Sequence, residues 1–302
     1  MGPDAPMTDS FTAIDISKLP SPDLIEQLSF EEILTANIAA VRAIIPDFFP
    51  RESGPITAVL QAFSYREQHL RQRINDAARA VMVAHAMGSD LDNLAAVFGV
   101  ARFLISEAVP DQGIAAVWES DEDFRRRIVL APEGYSVAGP EGAYIYHALS
   151  ADARVLDASA ISPDPGEVLV TILSRDGNGT AAPDLVAAVL AYLSAETRRP
   201  LTDYVRVQSA QIITYAVEAE LTTFSGPDSD VVLAEAARSL ADYISSSFRM
   251  GRDITISGLH RALHVAGVQN VRLISPAADL VIDRTQAAYC TGTTIRHVGI
   301  GE

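Results

Sequence analysis

FRRRIVLAPEGYSVAGPEGAYIYHALSADARVLDASAISPDPGEVLVTILSR, residues 124–175, holds the change of regime on which the fold turns. Its first half is helical in spacing and is broken once by a Gly/Pro-rich turn. Its second half alternates with period two. Val155–Ile161 and Glu167–Ser174 are therefore expected as antiparallel strands around Ser162-Pro163-Asp164-Pro165-Gly166. Upstream, nearly every apolar pattern is helical; downstream, strands and helices alternate. The expected class is α+β, a helical N-terminal half followed by two tandem small α/β sandwich units.

Upstream, residues 1–22 mix Pro, Asp and Ser with isolated hydrophobes (Phe11, Ile14, Ile16, Leu19). They form an extended arm, either a frayed terminus or a segment lying along a neighbouring subunit. A helix Phe30–Ile45 follows, with Leu34, Ile38, Val41 and Ile45 on one stripe, stopped by Pro46 and Pro50. The strongest periodicity comes next. Gly54-Pro55 opens a helix expected to run to Gly88, with Ile56, Leu60, Phe63, Leu70, Ile74, Ala77, Val81 and Ala84 at alternating 4-3 steps. Glu67 interrupts the series, and Arg66, Arg71, Arg73 and Arg79 flank it. Two readings are open: a core-facing helix of an intramolecular bundle, or a seam joining helices of different chains. A strict 3.5 repeat makes a narrow seam rather than a broad face. Gly88 is expected to cap this helix, and Ser89 to cap a short one, Leu91–Phe98. Ser120 caps the next, whose Asp121, Glu122 and Asp123 precede Arg125, Arg126 and Arg127, the order a helix dipole favours. Those arginines either face a partner carboxylate or form a solvated face.

Downstream, a helix Pro140–Leu149, the two strands, a helix Pro183–Thr197 and a strand at Tyr204–Val207 make a ββαβ unit. The pattern is expected to recur as a duplication: strand Ile212–Phe224, helix Asp230–Phe248, short strand Asp253–Ile256, helix Gly258–Ala266 capped by Ser257, and strand Val268–Ile274. The tail is weakly patterned, with an edge strand at Thr293–Ile300. The expected divisions are 1–54 (arm and first helix), 55–108 (bundle region), 109–151 (helical connector), 152–208 and 209–276 (the two α/β units) and 277–302 (tail).

The net charge of −16, from 23 Lys+Arg against 39 Asp+Glu, repels phosphate backbones and argues against nucleic-acid binding. Cys290 is the one cysteine, so no intrachain disulfide is expected, which suits a reducing cytosol. The acidic N-terminus has no apolar h-region, and no run of about 18 apolar residues suggests membrane insertion. Chemical motifs are set aside in turn. His260 and His264 share a helix face, but Arg261 stands where a zinc protease carries Glu, and no third ligand is indicated. Asp176, Asn178 and Thr180 match the first ligand offsets of a calcium loop, but Ala181 and Ala187 replace its Gly and Glu. Nucleotide-cradling Gly loops and a nucleophile elbow are missing. No catalytic residue, cofactor or metal site is assigned.

Six segments in order carry a resemblance. They are SDLDNLAAVFGVAR (89–102), EDFRRRI (122–128), SVAGPEGAYIYHAL (136–149), VLDASAISPDPGEVLVTIL (155–173), RRPLTDYVRV (198–207) and GRDITISGLHRALHVAGVQNVRLISP (251–276). Over roughly residues 55–285 the chain resembles the baseplate protein J family, the wedge subunits of contractile phage tails and tail-like particles. The resemblance implies a structural, non-enzymatic wedge component, assembled in a bacterial host cytoplasm and located in the tail baseplate. Its implied partners are other wedge proteins, further copies of itself, and hub or sheath-initiating proteins, in a sixfold ring that rearranges to trigger sheath contraction. It also implies that N-terminal helices of this subunit type enter an interchain bundle, which favours the seam reading for Ile56, Leu60, Phe63, Leu70, Ile74, Ala77 and Val81. The rivals are a tail-associated hydrolase of cell-wall polymer and a wedge-like adaptor of a contractile secretion apparatus.

Overall fold

The computed structural model describes Ile16 and residues 26–302 except Pro227. The arm expected at 1–22 lies outside these residues, Ile16 apart. The chain divides into two compact units. One is helical, within Ile14–Arg102 and Ser120–Ile128; the other comprises Phe103–Glu119 and Val129–Glu302.

In the helical unit, Ser29 accepts the Glu32 N–H and starts α1 (Phe30–Ile44). Pro55 occupies the first turn of α2 (Pro55–Ala80), where its missing N–H costs nothing. This helix stops well short of Gly88, so Val81 and Ala84 fall in turns beyond its end. The Arg125 guanidinium, on α4 (Asp121–Leu130), donates to the carbonyls of Val83 and Ala86 in the turns that follow, each at 2.7 Å. Gly88 opens α3 (Gly88–Ala96) at φ +52, a backbone conformation that favours glycine, rather than closing α2. Leu91, Ala95, Val100, Phe124 and Ile128 are buried in this unit.

The second unit begins with a small hairpin of β1 (Leu104–Ser106) and β2 (Val117–Trp118). Two lobes follow. In the first, β3 (Val155–Ile161) pairs antiparallel with β4 (Glu167–Ser174), which pairs parallel with β5 (Tyr204–Ser209). Helices α5 (Glu141–Ala151) and α6 (Pro183–Leu193) contribute Tyr144, Ala148, Leu185 and Val189 to a core with Ala158, Val170 and Ile172. In the second, β6 (Gln211–Phe224) is central, antiparallel to β7 (Val268–Ser275) and parallel to β8 (Gln286–Gly301). Alternate β6 residues Tyr215, Val217, Ala219 and Leu221 are buried under α7 (Ser229–Ser247) and α8 (Ile256–Leu263). Each fully buried aliphatic side chain of this kind contributes about 1.5–3 kcal/mol.

Three expectations change. The lobes share an architecture but not a path: the central strand is second in one and first in the other, so ββαβ does not recur. The segment 277–302 supplies β8, a full strand of the second lobe. Of Asp253–Ile256, only Ile254 makes a bridge, to Leu280, and Thr255 rather than Ser257 caps α8 by accepting the Gly258 N–H.

The lobes meet along β3 and β4. Asp157, almost fully buried, accepts the Met250 N–H at 2.9 Å. Ser159 donates to the Arg284 carbonyl, while the Arg284 side chain donates to the Ala160 carbonyl at 3.1 Å and pairs with Glu141. Leu173, Ala210 and Ala287 form a small apolar cluster beside these contacts, with Phe248 packed against it. Gly179 (φ +95) closes it, since a Cβ there would lie 2.7 Å from the Phe248 ring. One residue, Ala210, separates β5 from β6. Its N–H donates to Ile172 O at 2.8 Å, and that of Gln211 to Thr285 O at 3.0 Å.

Candidate functional site

The feature that stands out is α2. Its buried residues are Thr57, Ser64 and Asn75, all polar. Asn37 of α1 donates to Ser64 Oγ at 3.0 Å, and Asn75 exchanges hydrogen bonds with the backbone of Glu26. The helix therefore docks inside its own unit through a hydrogen-bonded polar edge. The 4-3 stripe points away from it: Phe63 is 62% exposed, Leu70 64%, Ile74 61% and Ile56 51%. Ala77 and Val81 are exposed, and Leu60 is half-buried. Glu67, the interruption, pairs with Arg71 at 2.7 Å. Exposed Ile44, Ile45 and Phe49 extend the apolar surface at the α1–α2 turn. Of these, the sequence reading marks only Ile45, on the stripe of the first helix.

Arg125–Arg127 are used differently from either expectation. Arg125 is committed to the carbonyls of Val83 and Ala86, and Arg127 is buried, donating to Ala101 O at 2.7 Å. Arg126 is half-buried and also engaged. They serve neither as a solvated face nor as free cations for a partner. The acids before them are structural too. Asp121 accepts the Gly88 N–H at 3.1 Å, capping α3 from outside that helix, and pairs with Arg102 at 2.7 Å. Burial alone would raise the Asp121 pKa; the Gly88 N–H and the Arg102 guanidinium outweigh it and hold the carboxyl below its usual range.

A carboxyl depressed by folding stabilises the fold above its unfolded pKa, and that gain is lost as pH falls through the lower folded value. The helical unit should therefore lose stability on acidification below about pH 4. Asp121→Ala should remove this dependence and cost about 1–2 kcal/mol at neutral pH, as loss of a helix cap does. Denaturant unfolding of the full chain, followed by exchange of the Gly88 amide, measures both.

Among the described residues no three His, Cys, Asp or Glu side chains converge as metal ligands. His260 and His264 sit on α8 and at its C-terminal cap. Asp176, Asn178 and Thr180 form a tight loop, with Asn178 Oδ1 accepting the Thr180 N–H. No helix among the described residues is long and apolar enough to cross a membrane.

Three family models match in chain order: the Baseplate J-like N-terminal domain over residues 52–109, the Baseplate J-like central domain over 136–209, and the Baseplate J-like protein C-terminal domain over 215–296. Baseplate protein J of Escherichia phage P2 is 45% identical over 289 residues, covering 92% of this chain and 95% of that protein.

The chain belongs to the baseplate J family.

A chain in the cryo-EM structure of the anti-feeding prophage (AFP) baseplate, 6-fold symmetrised, is 14% identical. The alignment spans 49% of this chain and 36% of that one, at a TM-score of 0.34, too low to argue a shared arrangement. The N-terminal baseplate J match crosses the division between the two units at Arg102 and takes in β1. The N-terminal one holds α2 and α3, the central one the first lobe from α5 to β5, and the C-terminal one the second lobe into β8.

Proposed function

We propose that this baseplate J chain is a wedge subunit of a contractile tail or tail-like particle. In this role it joins other wedge proteins and further copies of itself in a sixfold ring around the hub, and the ring's rearrangement triggers sheath contraction. At the coarser level, family membership makes it a structural component of a phage-type tail baseplate. It is assembled in the bacterial host and acts through protein contacts rather than catalysis. The observation that carries the reading is the open 4-3 stripe on α2. A helix that docks in its own chain by a polar edge and leaves Phe63, Leu70 and Ile74 in water is built to be covered by another helix. The lobes, with cores of their own, then supply ring contacts. Two alternative packings a few kcal/mol apart are enough for a switch there.

Co-expression with the adjacent tail genes and native mass measurement of the purified product tests this. A hetero-complex of fixed stoichiometry containing this chain is the expected result. A monomer indifferent to those partners would overturn it.

A further inference from the structure

The second lobe has a cationic side in an acidic chain. From Ile254 to Ala278 the sequence carries His260, Arg261, His264 and Arg272 and not one carboxylate, although the net charge is −16. Elsewhere in this lobe arginines are matched, Arg238 by Glu235 and Arg272 by Glu220. Arg252 and Arg261 pair with no carboxylate among the described residues. Both line an open cleft of about 470 Å³ between α7 and α8, with Ser239, Asp242, Tyr243 and Ser246 of α7. Arg252 donates to the Ser246 carbonyl at 3.0 Å, at the end of α7. Arg261 is exposed on α8 and has no ion-pair or hydrogen-bond partner among the described residues.

A guanidinium is a planar fork of N–H donors, and most of those on this pair are left to solvent. The Ser239 and Tyr243 hydroxyls also lack hydrogen-bond partners among the described residues. Asp242 lines the same cleft but forms no ion pair with either arginine, and one carboxylate would still leave a cation over. Two forked cations with hydroxyls beside them suit an oxyanion, and a carboxylate fits the fork with two parallel bonds. Pockets for free small molecules are mostly apolar, and this lining is not. Resting on the reading of the chain as a wedge subunit, we propose that the cleft binds an Asp or Glu side chain on an acidic loop of a different protein of the particle. A second copy would bring its own net charge of −16 with it and be repelled as a body. A short acidic loop brings the carboxylate alone.

The chain has a single lysine, Lys18, which makes a direct test clean. Arg261→Lys places one new side-chain amine in the cleft for zero-length carbodiimide coupling, in the complex co-expressed with the adjacent tail genes. The expected product joins position 261 to an Asp or Glu of a different protein. Coupling to Asp242 of the same chain would show the cleft closing on itself, and coupling to a second copy would show another occupant. Either result overturns the proposal, as does no coupling at 261 in an assembled complex. Arg261→Glu should leave the melt of the isolated chain unchanged, because Arg261 holds nothing in its own chain. It should weaken retention of the coupled protein by about tenfold or more, the effect of about 1.4 kcal/mol, because a like charge then faces the bound carboxylate. If Arg261→Glu retains every partner at the parent's level, the site is wrong and the wedge reading stands. If the parent chain itself forms no complex, both fail.

Discussion

Leu70→Asp/Ile74→Asp should leave the isolated chain folded and exclude it from the assembled complex. Both side chains are more than 60% exposed on α2, away from the Thr57–Ser64–Asn75 edge that docks it. Surface substitutions away from such contacts usually change stability by no more than about 0.5 kcal/mol, and aspartate within a helix adds a propensity cost of roughly that size. In a bundle the account is different. Each position would forfeit about 1.5–3 kcal/mol of apolar burial and would also desolvate an unpaired carboxylate. A combined penalty of that size corresponds to at least a ~100-fold loss of affinity. Far-UV circular dichroism and a denaturant melt of the variant alone should match the parent, while native mass spectra of the co-expressed product should lack it. Assembly at the parent's yield would show that the stripe faces solvent in the particle.

The second large effect is expected at Phe124. Its side chain is fully buried in the helical unit, and the guanidiniums of Arg102 and Arg127 lie over its ring at 4.5 and 5.5 Å. Those arginines make three of the unit's tertiary ties: Arg102 to Asp92 and Asp121, and Arg127 to the Ala101 carbonyl. Truncation to alanine removes a buried ring, typically about 3–5 kcal/mol, and with it the surface that positions both cations. That is a large share of the ~5–15 kcal/mol stabilising an ordinary domain. Phe124→Ala should therefore open residues 83–102 to hydrogen exchange and proteolysis, while amides of 155–173, in a lobe with its own core, stay protected. Phe124→Leu should be much milder. Equal protection of 83–102 in Phe124→Ala and the parent would mean that the ring is dispensable there.

What could be read beforehand depended on whether the signal was local. The β3–β4 hairpin was legible because Ser162–Gly166 is a strong turn between two alternating runs. The stripe on α2 was legible as a period, but a period cannot say whether a stripe faces a core or a partner. The edge by which α2 docks in its own unit is made by Thr57, Ser64 and Asn75, whose burial has no sequence signature. The end of α2 at Ala80 has no local signal either, and the turns after it are held by an arginine about forty residues away. The partners of Arg125–Arg127 are not legible because a guanidinium serves backbone carbonyls as readily as carboxylates. Only the second half of β8 was noticed. Gly292 and its threonines lie largely in water, so no alternation of apolar residues marks the strand.

The joint at Ala210 has a mechanical consequence. Two domains strung on one chain ordinarily wag, because linkers are slack and the surfaces between them are small and polar. Here the linker is a single residue, with backbone hydrogen bonds into the first lobe from Ala210 and within the second from Gln211. Buried Asp157 and the Arg284 loop brace the pair from the side. A torque applied at β8 reaches β3 without lost motion, as through a solid crank rather than a knuckle.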